Sequence, residues 1–483
     1  MRALLWIAIP LALAACKAPE KPAPPLRQSD ELVVITVEGP ATYYPDTDGR
    51  HAGLEFDLAA LFAADIGKSV KFLVVPQLSQ VLPALERNQA HLAAAGFTVT
   101  TLLSEPVRMG PIYHVVQHQL VYNSDYSPPR GIAGLAGRTV LAVAGNGYDA
   151  LLREWAEQAP GMRWSEVQTA DEDDLLARLA NGEIDAVLTN SSHLDVSRHF
   201  FPNLGSAFAL EQPAGLAWAF PAGADPWLLE RAGVFFQRIA GDGTLERLID
   251  RYFGHMNRLS ASDVETFLHK TQVLLPRYRA YFQLAGEITG TDWRLLAALG
   301  YQESQWNAVA VSPTGVRGLM MLTAETADRM MVTNRLDPRQ SILAGSRYFA
   351  DLRDQFDPVP EPDRTWLALA AYNLGLGHLQ GGRQLARSLK LDPNSWPDLK
   401  KLLPLLSRPE YAARLKNGPA RGGEAVIMTE NIRTYYQILS RLEPPARPAY
   451  PLPRLDVTVV KQAAGEGLTG QAPALNVGRA HAP

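Results

Sequence analysis

The hydrophobic pattern of the chain changes near residue 258. From about residue 30 to 257, short β-branched runs alternate with helical patterns, an order that is typical of an α/β domain with a mostly parallel sheet. From Val264 to about Leu442, apolar residues recur at three- and four-residue spacings, which indicates helices without strands. The 483 residues are also too many for one ordinary core. We therefore predict an α/β domain over 30–257 and a mainly α domain over 258–445.

Short apolar runs supply the strands predicted for the first domain. Their β-branched residues and the glycines that flank them favour extended structure over helix. The predicted strands are 32–37, 70–75, 139–143 and 184–188, and the helices between them include 54–66 and 171–181.

The first residues have the pattern of an export signal. Arg2 is followed by a short apolar run and by Ala14 and Ala15, and this run is too short to span a bilayer. Cys16, the single cysteine of the sequence, comes next. The pattern resembles a bacterial lipoprotein signal, which implies removal of residues 1–15 and a lipid on Cys16. An ordinary signal peptide that contains a cysteine is the alternative. Lys17, in place of an aspartate, implies sorting to the outer membrane.

Proline-rich segments flank the two domains. Prolines in 16–29 cannot join a helix or a central strand, so this segment is predicted to be an extended tether. Residues 446–483 hold too few large apolar groups to form a core, so we predict a flexible tail. No later segment is apolar enough for a transmembrane helix. Membrane attachment, at the periplasmic face of the outer membrane, is therefore expected through the lipid alone.

Charge and motif content exclude several functions. A net charge of −4 provides no field for holding a polyanion, so we predict no nucleic-acid partner. The ten histidines form no recognisable zinc spacing. Gly145-Asn146-Gly147 is only a fragment of a phosphate loop. We therefore predict no metal and no cofactor.

Glu303 is the candidate catalytic residue of the second domain. Asp292 is a candidate N-cap, and the leucines and alanines after it form the apolar stripe of a helix that ends near Glu303. Aromatic and small residues surround this glutamate in the sequence, a setting that raises the pKa of a carboxyl group and keeps its proton available. A lone glutamate is more often a solvated surface group. The segments that accompany it favour catalysis.

Two segments resemble one enzyme family. Residues 303–322 begin with Glu303-Ser304 and contain Ser-Pro-Thr-Gly-Val-Arg-Gly-Leu-Met, and residues 370–375 read Ala-Ala-Tyr-Asn-Leu-Gly. Together they resemble the lysozyme-like domain of the soluble lytic transglycosylases. The resemblance implies that Glu303 is the catalytic acid. It implies substrate contacts by Gln302, Ser304, Ser312, Gly318, Leu319, Met320, Met321, Tyr372 and Asn373.

The family implies a mechanism with one carboxylate. Glycosidases usually need two, and Glu325, the next acidic residue after Glu303, belongs to what the pattern predicts as a separate helix. By resemblance, Glu303 protonates the oxygen of the MurNAc-β-1,4-GlcNAc bond in peptidoglycan glycan strands. It then accepts the proton of the C6 hydroxyl of the same muramoyl residue, which closes a 1,6-anhydro ring without water.

Two positions depart from the family pattern. Met321 stands where many relatives have glutamine, a variant that resembles the branch called membrane-bound lytic murein transglycosylase F. Met428 stands where relatives have a tyrosine that bonds the catalytic glutamate. Tyr435 and Tyr436 are the candidates to replace that tyrosine.

The first domain resembles the family 3 periplasmic solute-binding proteins. Gly53-Leu-Glu-Phe-Asp57, Gly137-Arg-Thr-Val140 and Gly182-Glu-Ile-Asp-Ala-Val187 lie in the order of that family. The resemblance implies two lobes that close on a ligand, with chain crossings near residues 121–125 and 213–218. It also implies an amino-acid or muropeptide effector.

The residues that grip an amino acid in that family are altered. The arginine expected after the Thr98 strand is absent, with Arg108 several residues late, and Asn190 replaces the usual aspartate. A scaffold that has lost its ligand is therefore the alternative to a sensor.

Three functions remain open from the sequence. The first is a lytic transglycosylase with a regulatory binding domain. The second is a lipid-anchored solute or muropeptide sensor with an inactive lytic domain. The third is a lysozyme-type hydrolase on the same fold, which would release reducing ends in place of anhydro ends.

Overall fold

A computed structural model describes residues 22–39, 41–45, 51–99, 107–168, 172–256 and 258–446, together with the backbone of 458–461. Cys16, the predicted signal peptide and most of the predicted tail lie outside these residues. No helix among them is both long and apolar enough to cross a membrane.

The first domain alternates strands and helices. Its strands are β1 Glu31–Val37, β2 Tyr44–Pro45, β3 His51–Ala52, β4 Ser69–Val75, β5 Leu92–Ala93, β6 Val107–Val116, β7 His118–Asn123, β8 Thr139–Val143, β9 Arg163–Val167, β10 Ala186–Asn190, β11 Leu204–Ala209 and β12 Ala214–Pro221. Its helices are α1 Leu54–Asp65, α2 Val81–Glu86, α3 Asp149–Gln158, α4 Glu172–Ala180, α5 Ser191–Ser197, α6 Pro226–Gly241 and α7 Thr244–Phe253.

Two sheets form two lobes. Lobe I contains the sheet β13-β4-β1-β5-β12-β6, in which β13 is Thr458–Lys461, and lobe II contains the sheet β11-β7-β10-β8-β9. Strands β4, β1 and β5 are parallel, and β12 and β6 are antiparallel to their neighbours. The α/β two-lobed architecture predicted from the sequence is therefore confirmed.

Strand β1 shows why the sequence of lobe I reads as continuous apolar runs. Leu32 and Val34 pack into one core cluster, whereas Val33 and Ile35 pack into another on the opposite face of the sheet. A strand buried on both faces has no polar side to alternate with. The five residues from Leu32 to Thr36 are all at most 9% exposed.

The chain crosses between the lobes at different residues from those expected. Strand β6 ends at Val116 in lobe I and β7 begins at His118 in lobe II, so the first crossing is at Gln117 and not at 121–125. The return lies between β11 and β12, at residues 210–213. The predicted strand 184–188 also begins later, at Ala186.

The second domain is mainly helical in its described residues, as predicted, and its only β-structure there is two isolated bridges that Arg317 forms with Val311 and Leu322. Its helices are α8 Ala261–Val273, α9 Leu275–Thr289, α10 Trp293–Ser304, α11 Ala324–Arg329, α12 Pro338–Asp354, α13 Asp363–Leu374, α14 Leu376–Ser388, α15 Trp396–Leu402, α16 Pro409–Ala412 and α17 Gly422–Leu442. Side-chain caps start several of them: Ser260 and Asp263 form a capping box on α8, and Asp337 caps α12. One apolar cluster built from these helices forms the core.

Within the predicted tail, 458–461 is a short strand. It pairs in parallel with β4, with Val459 opposite Phe72 and Val460 opposite Leu73. This four-residue segment differs from the unstructured tail that we expected, because its two valines supply the β-branched character that a strand favours.

Candidate active site

Helix α10 fixes the position of Glu303. Asp292 starts the helix by accepting a hydrogen bond from the Arg294 amide at 2.9 Å. At the other end, Gln305 and Trp306 both adopt left-handed backbone, with φ of 53° and 59°, and the Trp306 indole donates to the Ala297 carbonyl at 2.9 Å. The helix therefore stops one residue after Glu303, and its last turn is held to the core.

The Glu303 carboxyl has a strongly perturbed pKa. Its side chain is partly exposed, but protein atoms surround it closely, and this burial raises the pKa from 4.5 to about 8. No neighbouring charge contributes to the shift. No hydrogen bond joins this carboxyl to another residue in the part of the chain that the structure describes. The group can therefore keep its proton at neutral pH and present it to a ligand.

Glycines let the loop after α10 pack closely against α10, α12 and the backbone of Arg335. Gly318 has a φ of 83°, and a Cβ there would lie 1.9 Å from the Arg335 carbonyl oxygen. Gly300 and Gly345 flank the Met320 side chain, which a Cβ at either position would contact at 3.1 Å or less. These close approaches need glycine, and they bring the loop next to the end of α10.

Hydrogen bonds complete this attachment. The Ser304 hydroxyl donates to the Leu319 carbonyl at 2.8 Å, and the Met320 amide donates to the Ser341 hydroxyl at 3.1 Å. Leu319 and Met320 are 0% exposed, so their side chains belong to the core beneath the groove. This differs from the direct substrate contact expected of them, because the flanking glycines draw both side chains inward.

The remaining groove residues lie nearer the surface. Ser312 accepts a hydrogen bond from the Val316 amide at 3.2 Å and so shapes the turn over 312–316. Met321 is partly exposed and has a φ of 48°. Gln302 is partly exposed on the last turn of α10. The turn depends on Arg335, which the sequence did not single out and which donates to the Gly315 carbonyl at 3.1 Å.

Tyr372 and Asn373 close the site from α13. The Tyr372 hydroxyl donates to the Met320 carbonyl at 2.9 Å. Burial raises the pKa of Tyr372 well above its usual value, and the nearby Glu303 charge raises it further. Asn373 is exposed at the end of the helix. The structure therefore brings Tyr372, which is distant in the sequence, and the adjacent pair Glu303 and Ser304 around one loop.

Neither candidate replaces the tyrosine absent at Met428. The Tyr436 hydroxyl donates to Asp292 at 2.8 Å, at the opposite end of α10 from Glu303. The Tyr435 ring packs edge-on against Tyr301, with centroids 4.8 Å apart. Met428 is buried in the core. Tyr372 is thus the tyrosine whose pKa responds to the Glu303 charge, although its own hydrogen bond goes to the loop.

The cleft between the lobes is narrow. Glu55 of lobe I lies at its base and accepts hydrogen bonds from the Tyr113 hydroxyl at 2.5 Å, the Trp218 indole at 2.8 Å and the Gly96 amide at 2.8 Å. Asn190 and His193 of lobe II line the other side. The enclosed space is about 20 Å³, which suits about one water molecule. A larger ligand would require the lobes to separate.

The groups that usually grip an amino acid are absent from the described part of this cleft. Arg108 is exposed on β6 and is not part of the lining. The Asn190 side chain is used as the N-cap of α5, where it accepts from the Ser192 amide at 3.0 Å. Residues 100–106 lie outside the described residues.

The chain thus joins a mainly α domain, in which Glu303 lies at the end of a buried helix, to a two-lobed α/β domain, and two family models match these two parts. The profile of the Transglycosylase SLT domain matches residues 280–392, and that of the bacterial extracellular solute-binding proteins, family 3, matches 32–255. An ancestral arginine-binding protein bound to arginine is 21% identical, with a TM-score of 0.42, over 46% of this chain and 98% of that one.

Longer matches extend over both domains. The membrane-bound lytic murein transglycosylase F of Methylobacillus flagellatus is 47% identical over 455 residues, which is 93% of this chain and 96% of that protein. That of Nitrosospira multiformis is 48% identical over 441 residues, 91% of this chain and 92% of that protein. The chain belongs to the membrane-bound lytic murein transglycosylase F family.

Proposed function

We propose that the protein is a peptidoglycan lytic transglycosylase in which Glu303 is the single acid and base. Family membership supports the activity. The observation that favours Glu303 is its carboxyl, which lies at the end of α10 with a pKa raised to about 8 by burial alone. Such a group is protonated at neutral pH and can still ionise during a reaction.

The reaction needs only this carboxyl. Glu303 donates its proton to the oxygen that links C1 of MurNAc to C4 of GlcNAc, the C1–oxygen bond breaks, and GlcNAc leaves with a free hydroxyl. The Glu303 carboxylate then accepts the proton of the C6 hydroxyl of the same muramoyl residue while that oxygen bonds to C1. The product is a 1,6-anhydro ring, Glu303 is again protonated, and no water is consumed.

The absence of charge coupling at Glu303 supports a one-carboxylate mechanism. A second carboxylate at glycosidase distance would raise the Glu303 pKa by repulsion, and burial is its sole cause. The attacking hydroxyl belongs to the substrate, so the site has to hold the sugar in position and exclude water. The loop that Tyr372 and Ser304 hold against α10 is suited to this positioning.

Replacing Glu303 tests the assignment. Glu303→Gln keeps the shape of the side chain and removes its proton transfer, so release of soluble fragments from purified peptidoglycan should fall by a factor of about 10² or more. Glu325→Gln, at an exposed glutamate of α11, is the matched control and should leave the rate unchanged. Equal rates for wild type and Glu303→Gln would contradict the role of Glu303. No release by any of the three proteins would favour a sensor with an inactive lytic domain.

The first domain is proposed to regulate cleavage by sensing wall-derived ligands. Helix α17 of the lytic domain contacts both lobes. Arg433 donates to Asp250 of lobe I at 2.9 Å. Arg441 pairs with Asp173 of lobe II at 3.2 Å and lies 4.6 Å from the centre of the Phe200 ring. A change in the angle between the lobes must therefore strain or shift α17.

Helix α17 also reaches the catalytic helix. Tyr435 of α17 packs against Tyr301 of α10, two residues before Glu303. Lobe movement can thus be transmitted through packed side chains to the end of α10. Purified muropeptides should change the cleavage rate of the wild type, and Arg441→Ala should reduce that change while the rate without ligand is retained. A ligand response that is identical in both proteins would contradict this route.

Lipid anchoring through Cys16 is proposed for the location at the outer membrane. The names of the family's relatives describe them as membrane-bound, and the sequence around Cys16 resembles a lipoprotein signal. In cells, wild type should incorporate radiolabelled palmitate and fractionate with the outer membrane. Cys16→Ser should be unlabelled and soluble. Labelling that persists in Cys16→Ser would contradict the anchor.

A further inference from the structure

A second recess opens beside the end of helix α10. Its volume is about 420 Å³, and its lining includes Lys270, Leu274, Tyr278, Ser304, Gln305 and Val309. We call it the α8–α9 recess. Ser304 and Gln305 directly follow Glu303, so the recess begins one residue from the proposed acid and lies on the side of helices α8 and α9. Glu303 itself is not part of its lining.

The recess has one fixed positive charge. Lys270 is partly buried, its ammonium donates to the Gln305 side-chain oxygen at 2.5 Å, and it lies 5.9 Å from the centre of the Tyr301 ring. These contacts hold the ammonium in place at the wall. Among the described residues, Lys270 forms no ion pair, and no aspartate or glutamate belongs to the lining. The recess is therefore suited to an anion.

Its other walls are apolar or neutral. Leu274, Ala308 and the 68%-exposed Val309 offer surfaces for small aliphatic groups. The Tyr278 hydroxyl and the free amide nitrogen of Gln305 can form hydrogen bonds. A ligand that combines small methyl-bearing residues with carboxylates matches this lining better than a neutral sugar does.

We propose that the α8–α9 recess binds the acidic peptide stem of the muramoyl residue, with Lys270 pairing with a stem carboxylate. This inference rests on the proposed function, since the stem is attached to the same sugar whose bond is broken at Glu303. An extended stem covers about 3.3 Å per residue, and the lining of the recess includes Ser304, the residue next to Glu303. Lys270 is then a specificity-determining residue for strands that carry peptides.

Two substrates separate this role from a general one. Intact peptidoglycan strands carry stems, whereas strands treated with an amidase are bare glycan. Lys270→Gln should reduce kcat/KM on stem-bearing strands by about fivefold, the effect of one partly screened charge pair, and should leave kcat/KM on bare strands unchanged. Lys270→Arg should restore activity on stem-bearing strands. Lys416→Gln, at an exposed lysine elsewhere in the lytic domain, is the matched control.

The outcomes distinguish the two proposals. An equal loss of kcat/KM on both substrates in Lys270→Gln would show that the recess binds sugar. A kcat/KM equal to that of wild type on both substrates would show that the recess takes no part in binding. Either result overturns the inference. If wild type cleaves neither substrate, the proposed function fails, and binding still decides the inference. In that case Glu303→Gln should sediment with intact sacculi more strongly than Glu303→Gln/Lys270→Gln, and both should sediment equally with bare sacculi. Equal sedimentation of the two proteins with intact sacculi would refute it.

Discussion

The raised pKa of Glu303 predicts a stability difference that depends on pH. The folded protein holds this proton more tightly than the unfolded chain does, with a pKa of about 8 against 4.5. The free energy of unfolding should therefore fall as pH rises between these two values, by up to about 1.4 kcal/mol per pH unit. Because the side chain is partly exposed, we expect about half of this slope. The free energy of unfolding should therefore fall by about 1 to 2 kcal/mol between about pH 5 and pH 7.

Glu303→Gln removes this titration and keeps the side-chain shape. The free energy of unfolding of the variant, relative to that of wild type, should rise by about 1 to 2 kcal/mol from about pH 5 to pH 7. Every other titrating group is common to both proteins and cancels in this comparison. Urea unfolding of the full chain at the two pH values measures the difference. Glu325→Gln should follow wild type. If wild type and Glu303→Gln lose the same stability over this interval, burial does not hold the Glu303 proton and the basis of the proposed acid fails.

Three further predictions concern the loop, the domain junction and the rate. Gly318→Ala should destabilise the protein by about 3 kcal/mol, since the added Cβ would lie 1.9 Å from a carbonyl oxygen. Gly315→Ala has a similar φ and open space around it, so it should cost about 1 kcal/mol in the same urea measurement. Arg433→Met should cost about 3 kcal/mol because buried Asp250 loses a partner, and a loss below about 1 kcal/mol would contradict this. Initial cleavage rates should fall as pH rises through about 8, where Glu303 ionises. Rates that stay constant through this pH range would contradict the role of Glu303 as the proton donor.

The parts of the fold that sequence predicted well are those with one dominant pattern. Strand β8 was predicted with its observed limits, because the four residues after Thr139 are apolar and pack into core clusters on both faces of the sheet. Strand β10 was placed two residues early because it ends in Thr189 and Asn190, polar residues that are buried here with partners. Hydrophobicity alone does not identify such a strand end.

Features formed by distant residues could not be predicted. Strands β6 and β7 are separated by Gln117 alone, so no break in the pattern marks the crossing between lobes. The burial of Met320 depends on Gly300 and Gly345, which approach it only in the folded chain. The pairing of Arg433 with Asp250 likewise joins residues 183 positions apart.

The mass of the fragments released from peptidoglycan tests the account most directly. The predicted muropeptides end in 1,6-anhydro-MurNAc and are lighter by one water than hydrolytic products, because the C6 hydroxyl of the substrate replaces water as the nucleophile. They should be absent from digests with Glu303→Gln and present with Glu325→Gln. Reducing ends from wild type would show a hydrolase and contradict the mechanism, and anhydro products from Glu303→Gln would contradict the role of its carboxyl.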